Sequence, residues 1–137
     1  LSLLQTLLDP VDPQSYWLLY RRPSHAPRDV LHIQGLGDSM TAEVSAEALS
    51  VAMRAQPLWP APDTPKIYTA LNIAAAATVS KNGATGRATI ALLQLKPATA
   101  YDGHFVLFND GRAKRVLRQY LRQIARGTLP TTVGPMK

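Results

Sequence analysis

Two short apolar runs, each broken off by a glycine turn that carries an ionisable group, restrict this chain more than its overall make-up does. The first is Val30-Leu-His-Ile-Gln34, followed by Gly35-Leu-Gly37 and Asp38. A run this short, rich in β-branched residues and bounded by turn signals, predicts a strand covered on both faces, the pattern of parallel sheets. The second is Ala88-Thr-Ile-Ala-Leu-Leu-Gln-Leu95, closed by Pro97. A loop then leads to Tyr101-Asp-Gly-His-Phe-Val-Leu-Phe108, which puts His104 on a tight turn. The expected fold class is α/β, with a mostly parallel sheet flanked by helices. Open sheets of this kind place their sites beyond the carboxyl ends of the strands. Asp38 and His104 both fall there.

The remaining segments fit this frame. Residues 1–28 form a helical, proline-punctuated connector or lid. In it Asp12-Pro13 starts a short helix, Gln14 to Arg21, with Tyr16, Trp17, Leu19 and Tyr20 available for packing. Residues 29–137 form the α/β core. After Asp38, Ser39 or Thr41 caps a helix running to about Ala55, with Val44, Ala48, Val51 and Ala52 at helical spacing and Glu43 and Glu47 near its positive end. Pro57, Pro60, Pro62 and Pro65 predict an extended loop. Ile67 to Val79 suits helix by its alanines and strand by its alternation. Asn82-Gly83 is a hairpin signal and favours a strand arm leading into the second run. Asp110 caps a last helix, about Arg112 to Arg126, whose apolar stripe is Val116, Leu117, Tyr120, Leu121 and Ile124; Gly127 stops it. Thr131 to Lys137 reads as a polar tail without structure.

At 137 residues the chain is one domain at most. Leu1 is not an initiator, so sequence upstream of it is expected. The absence of cysteine excludes disulfides, thiolate metal sites and a cysteine nucleophile. No run reaches the ~18 apolar residues of a membrane span, so no transmembrane segment is expected. The net charge of +6 is concentrated in Arg112, Lys114, Arg115, Arg118, Arg122 and Arg126. Arg115, Arg118, Arg122 and Arg126 share one helix face. Without interleaved aromatics, this row predicts a solvated face rather than a nucleic-acid surface. The compartment is not legible.

An acid after one strand and a histidine after the next are two members of a Ser-His-Asp constellation. Each has a plainer reading as well: Asp38 as a helix cap, His104 as a residue closing a turn. His32, inside a strand, reads as a hydrogen-bonded core residue, and His25 as a solvated loop residue. The spacing of His32, Asp38 and His104 matches no metal-ligand motif. Neither a metal nor a cofactor is expected.

Taken together, Gly35-Leu-Gly-Asp38 and Gly103-His-Phe-Val-Leu-Phe108 resemble the Gly-x-x-Asp and Gly-His-Phe turns at the end of an α/β-hydrolase domain of the bacterial lipase and esterase type. The resemblance covers roughly residues 29 to 126 and keeps the order acid, then histidine. It implies the C-terminal portion of an α/β-hydrolase fold and a serine-dependent carboxylic ester hydrolase acting on an acyl ester or lipid. In such an enzyme Asp38 orients His104, the general base. The chain has no Gly-x-Ser-x-Gly and no His-Gly-Gly-type oxyanion loop, and Ser39-Met-Thr-Ala42 lacks the proline that the family often places there. The resemblance therefore implies that a missing N-terminal part carries the nucleophile, and that this chain is inactive alone. Gly37-Asp-Ser-Met40 also resembles the Gly-Asp-Ser-Leu block of another hydrolase family, with Ser39 as nucleophile. That family's Asp-x-x-His is one residue longer than Asp102-Gly-His104. A non-catalytic α/β binding module and a basic nucleic-acid-binding domain are the alternatives from other classes.

Overall fold

The computed structural model describes residues 12–16, 19, 26, 28–83, 86–98, 101–128 and 130–135. In chain order these form a 3-10 turn (Pro13–Tyr16), β1 (Val30–Gly35), α1 (Glu43–Met53), β2 (Gln56–Pro57), α2 (Ile67–Ala70), β3 (Thr78–Val79) and β4 (Ile90–Leu95). A second 3-10 turn (Gly103–Phe105), α3 (Val106–Asn109), α4 (Gly111–Ala125) and β5 (Thr132–Val133) complete them. The protein is mixed α/β. Its main sheet has the order β1-β4-β2, and both pairings are parallel. β3 and β5 form a separate antiparallel pair. Gly35 stands opposite Leu95 in the register, so β1 and β4 deliver the chain to the same edge of the sheet. No helix among the described residues is long and apolar enough to cross a membrane.

β4 is buried along its whole length, and its alternating side chains serve two cores. Ala91, Leu93 and Leu95 pack with Leu58, Val79 and Val106 and with Ala113 and Val116 of α4. Ile90 and Leu92 pack with Met53, Ala55 and Tyr68 on the side of α1. Helices on both faces explain why this strand is apolar at every position but Gln94. Its one buried polar side chain toward the carboxyl end, Gln94, donates to Oε1 of Gln34 (3.0 Å) and to the carbonyl of Asp63 (2.7 Å). Gln34 and Gln94 are register partners, so this bond ties β1 to β4 just before the edge.

Several expectations are corrected. β1 lies at the border of the three-stranded sheet and is only partly buried except at Gln34 and Gly35, although Leu31 and Ile33 pack against one core and Val30 against the other. α1 begins at Glu43 with no side-chain cap, because the carboxylate of Asp38 takes the amides of Met40 and Thr41 into a separate turn first. Its buried residues are Ser50 and Met53, while Val44 is 70% exposed and Ala48 is exposed too. The proline-rich loop contains β2, the third parallel strand. Pro57 is tolerated there because its backbone faces away from β4: the amide of Leu58 donates to Leu92 (2.8 Å), while the carbonyl of Pro57 accepts from Ala76 on the other side (2.9 Å). The stretch from Ile67 is helical for one turn, and its end, β3, pairs with the tail residues Thr132 and Val133 rather than with β4. Among the described residues the expected hairpin is reduced to one bridge, Gly83 to Ala88, with the Asn82 side chain bonding the amide and carbonyl of Ile90 at 2.8 Å each. In α4 the buried stripe is Ala113, Val116 and Tyr120. Leu121 and Ile124 stay 52% and 43% exposed, since a helix resting on one sheet buries a narrower arc than five apolar positions span. After His104, Phe105 and Phe108 are exposed, while Val106 is buried in the core with Leu93 and Leu95. In the opening segment Pro13–Tyr16 is a 3-10 turn, and Tyr16 and Leu19 are 40% and 39% exposed. Trp17, Tyr20 and His25 lie outside the described residues.

Candidate active site

The edge where β1 and β4 end is shaped by two glycines. Gly103 sits against the turn that follows β1, and its amide donates to the carbonyl of Gly37 (3.2 Å). A β-carbon on Gly103 would lie 2.5 Å from the carbonyl oxygen of Leu36, 2.7 Å from that of Gly35 and 2.8 Å from the amide nitrogen of Asp38. A β-carbon on Gly35 would collide with the carbonyl of Gly103 in turn. Only residues without side chains allow the two loops this approach.

That approach brings the two ionisable side chains together. Nδ1 of His104 lies 3.2 Å from Oδ2 of Asp38, with the histidine side chain 40% exposed and the aspartate 16%. The other carboxylate oxygen, Oδ1, accepts from the amides of Met40 and Thr41, both at 2.8 Å. The carboxylate is thus immobilised by backbone donors on one side and presents its free oxygen to the imidazole. Desolvation acts to raise the Asp38 pKa. Hydrogen bonds from Thr41, Met40 and His104, with the charge of the ring, outweigh it and hold the group below the usual carboxylate range. An ionised carboxylate accepts only, so in the neutral form of the ring this contact favours the tautomer with the proton on Nδ1 and the lone pair on Nε2. Among the described residues Nε2 makes no hydrogen bond.

A second carboxylate braces the arrangement. Oδ1 of Asp102 accepts from the amide of His104 at 2.8 Å, and both its oxygens lie 3.2 Å from the amide of Ser39. The Ser39 hydroxyl and the His104 amide are the main causes that lower its pKa. Ser39 therefore meets Asp102 through both its amide and its hydroxyl.

The cleft beside the pair has a volume of about 370 Å³. Ile33, Val106, Leu107 and Phe108 supply apolar wall, and His32, Thr41 and Glu43 supply polar wall. Oε1 of Glu43 accepts from the amide of Gly37 at 2.6 Å, which braces the turn. His32 behaves as its strand position suggests: Nδ1 is 2.7 Å from Oγ of Ser50, and burial lowers its pKa. It lines the same cleft but is bonded away from the pair. No cluster of three or more metal-ligating side chains occurs among the described residues. Arg115, Arg118, Arg122 and Arg126 are exposed on the outer face of α4.

Sequence reasoning singled out Asp38 and His104, which the structure places 3.2 Å apart, and missed the loop contacts of Asp102 and Glu43. Asp102 had a local signal, since an aspartate two residues before a bonded amide is an Asx turn. Its bond to Ser39 had none. No family model matches the sequence, and comparison with curated proteins and with solved structures found no match.

Proposed function

We propose that this chain supplies the acid and the general base of a serine-dependent carboxylic ester hydrolase, as the C-terminal portion of an α/β-hydrolase fold of the lipase and esterase type. The observation that carries the reading is the 3.2 Å contact between Asp38 and His104 at the shared carboxyl edge of two parallel strands. Nε2 of His104 takes the proton from a serine hydroxyl contributed by another part of the enzyme as its oxygen attacks the ester carbonyl. The imidazolium then passes that proton to the leaving alcohol, and the acyl-serine is hydrolysed by water activated in the same way. Asp38 stays ionised throughout, holds the ring in the Nδ1–H form and stabilises the imidazolium. Its depressed pKa suits that role. Backbone amides outside this chain hold the oxyanion. The apolar wall of the cleft suits an acyl chain.

The test is fluorophosphonate labelling of the natural gene product, with the modified residue located by mass spectrometry. Labelling of a serine outside residues 1–137, lost in His104→Ala, supports the proposal. Absence of labelling together with absence of ester turnover points to a binding module. Labelling of Ser39 would transfer the nucleophile to this chain.

A further inference from the structure

We propose that Asp102 is a positioning residue that sets the distance between the acid and the base, an inference that rests on the reading of Asp38 and His104 as a working pair. The two loops come from different strands, and nothing in either sequence alone holds their tips in register. The carboxylate of Asp102 bonds the backbone of both: the amide of His104 itself (2.8 Å) and the amide of Ser39, the residue that follows Asp38 (3.2 Å). The first of these bonds is a local turn closure. The second crosses between loops and has no part in capping the 3-10 turn at Gly103. Oδ1 accepts from both amides, so a single oxygen fixes the main chain of one site residue against the neighbour of the other. A further backbone link between the loops, from the amide of Gly103 to the carbonyl of Gly37, is also 3.2 Å, and it restrains a point one residue away from each functional side chain. Asp102 is thus the side chain that turns a close approach of loops into a fixed side-chain geometry. It does not touch the reacting atoms.

The experiment reads the ring rather than turnover, using the ¹⁵N-labelled full chain and the ratio of Nδ1–H to Nε2–H tautomers of His104 at a pH where the ring is neutral. The His104 signals are assigned by their loss in His104→Ala. Asp38→Asn comes first. If it leaves the ratio unchanged, the pair itself is misassigned and the present inference goes with it. If Asp38→Asn abolishes the Nδ1–H preference, Asp102→Ala is decisive. A fall in the ratio of about five-fold, the shift expected from losing one hydrogen bond of ordinary net strength, supports the inference. A ratio within about two-fold of wild type overturns it and leaves Asp102 as a cap. If Asp102→Ala does not fold, Asp102→Asn and Asp102→Glu separate geometry from charge. Asparagine keeps an oxygen in place for both amides, whereas glutamate keeps the charge and moves the oxygens. Retention of the ratio in the asparagine variant with loss in the glutamate variant supports positioning, and any other order overturns it.

Discussion

Gly103→Ala tests the physical basis of the site directly. The new β-carbon would stand 2.5 Å from the carbonyl oxygen of Leu36 and within 2.8 Å of two further main-chain atoms. Ordinary carbon–oxygen contact begins near ~3.3 Å, so the loops must separate by about 0.8 Å. The obstacles are backbone atoms at a strand end and cannot rotate away as a side chain would. Overpacking of this kind costs about 1–3 kcal/mol. The same separation, added to a 3.2 Å contact, takes Nδ1 of His104 out of hydrogen-bond range of Asp38. Gly37→Ala is the control. Gly37 has a φ of +74° with no atom within 4 Å of its would-be β-carbon, so its cost is backbone strain alone, about 1–2 kcal/mol, with little movement of the pair. Urea denaturation gives the two stabilities, and the His104 tautomer ratio reports the pair. Gly103→Ala should lose stability and the Nδ1–H preference together, and Gly37→Ala stability alone. A Gly103→Ala chain within about 0.5 kcal/mol of wild type and with its ratio intact would refute the claim that loop contact sets the geometry.

Three further outcomes are expected. His104→Ala in the complete enzyme removes nearly all ester turnover, while stability of the chain moves by less than about 0.5 kcal/mol because the side chain is exposed; turnover at the wild-type rate would exclude His104 as the base. His32 is neutral by burial, with a pKa below the ordinary 6.5, so the unfolded chain takes up a proton first as pH falls. Stability should therefore begin to fall as pH drops below 6.5 and level off beneath the folded-state pKa, and His32→Gln should flatten that window; an unchanged urea midpoint profile in His32→Gln would contradict it. Asp110→Ala removes the carboxylate that accepts from the amide of Arg112 (2.7 Å) and pairs with its guanidinium, and should cost about 1–2 kcal/mol. The Arg112 hydrogen bonds hold the Asp110 pKa down, so the wild-type advantage over this variant should disappear as pH falls through the folded-state carboxylate pKa.

Local patterns in the sequence were enough for the elements whose cause is local. The mostly apolar run to Leu95 announces a strand covered on both faces, and Asp110 announces the start of α4, because burial and capping act within a few residues. The tight turns around Asp38 and His104 were legible for the same reason: glycine beside a polar residue marks positions that ordinary side chains cannot occupy. The segments misread are those whose partners are remote. β2 is a strand because β4 accepts it, β3 because the tail returns to it, and the proline-rich and polar stretches they occupy carry no alternation of their own.

What the sequence by itself determined is the presence of an acid and a histidine at the ends of two strands, together with the glycines that keep those ends bare. Tertiary structure alone decided that both ends lie on one edge, that Oδ2 of Asp38 faces Nδ1 of His104, and that Asp102 and Glu43 brace the loops around them. The reason is one of range. Backbone conformation responds to neighbours a few positions away, whereas the meeting of residues 38 and 104 depends on the parallel register of β1 and β4, which is fixed by packing across the whole sheet.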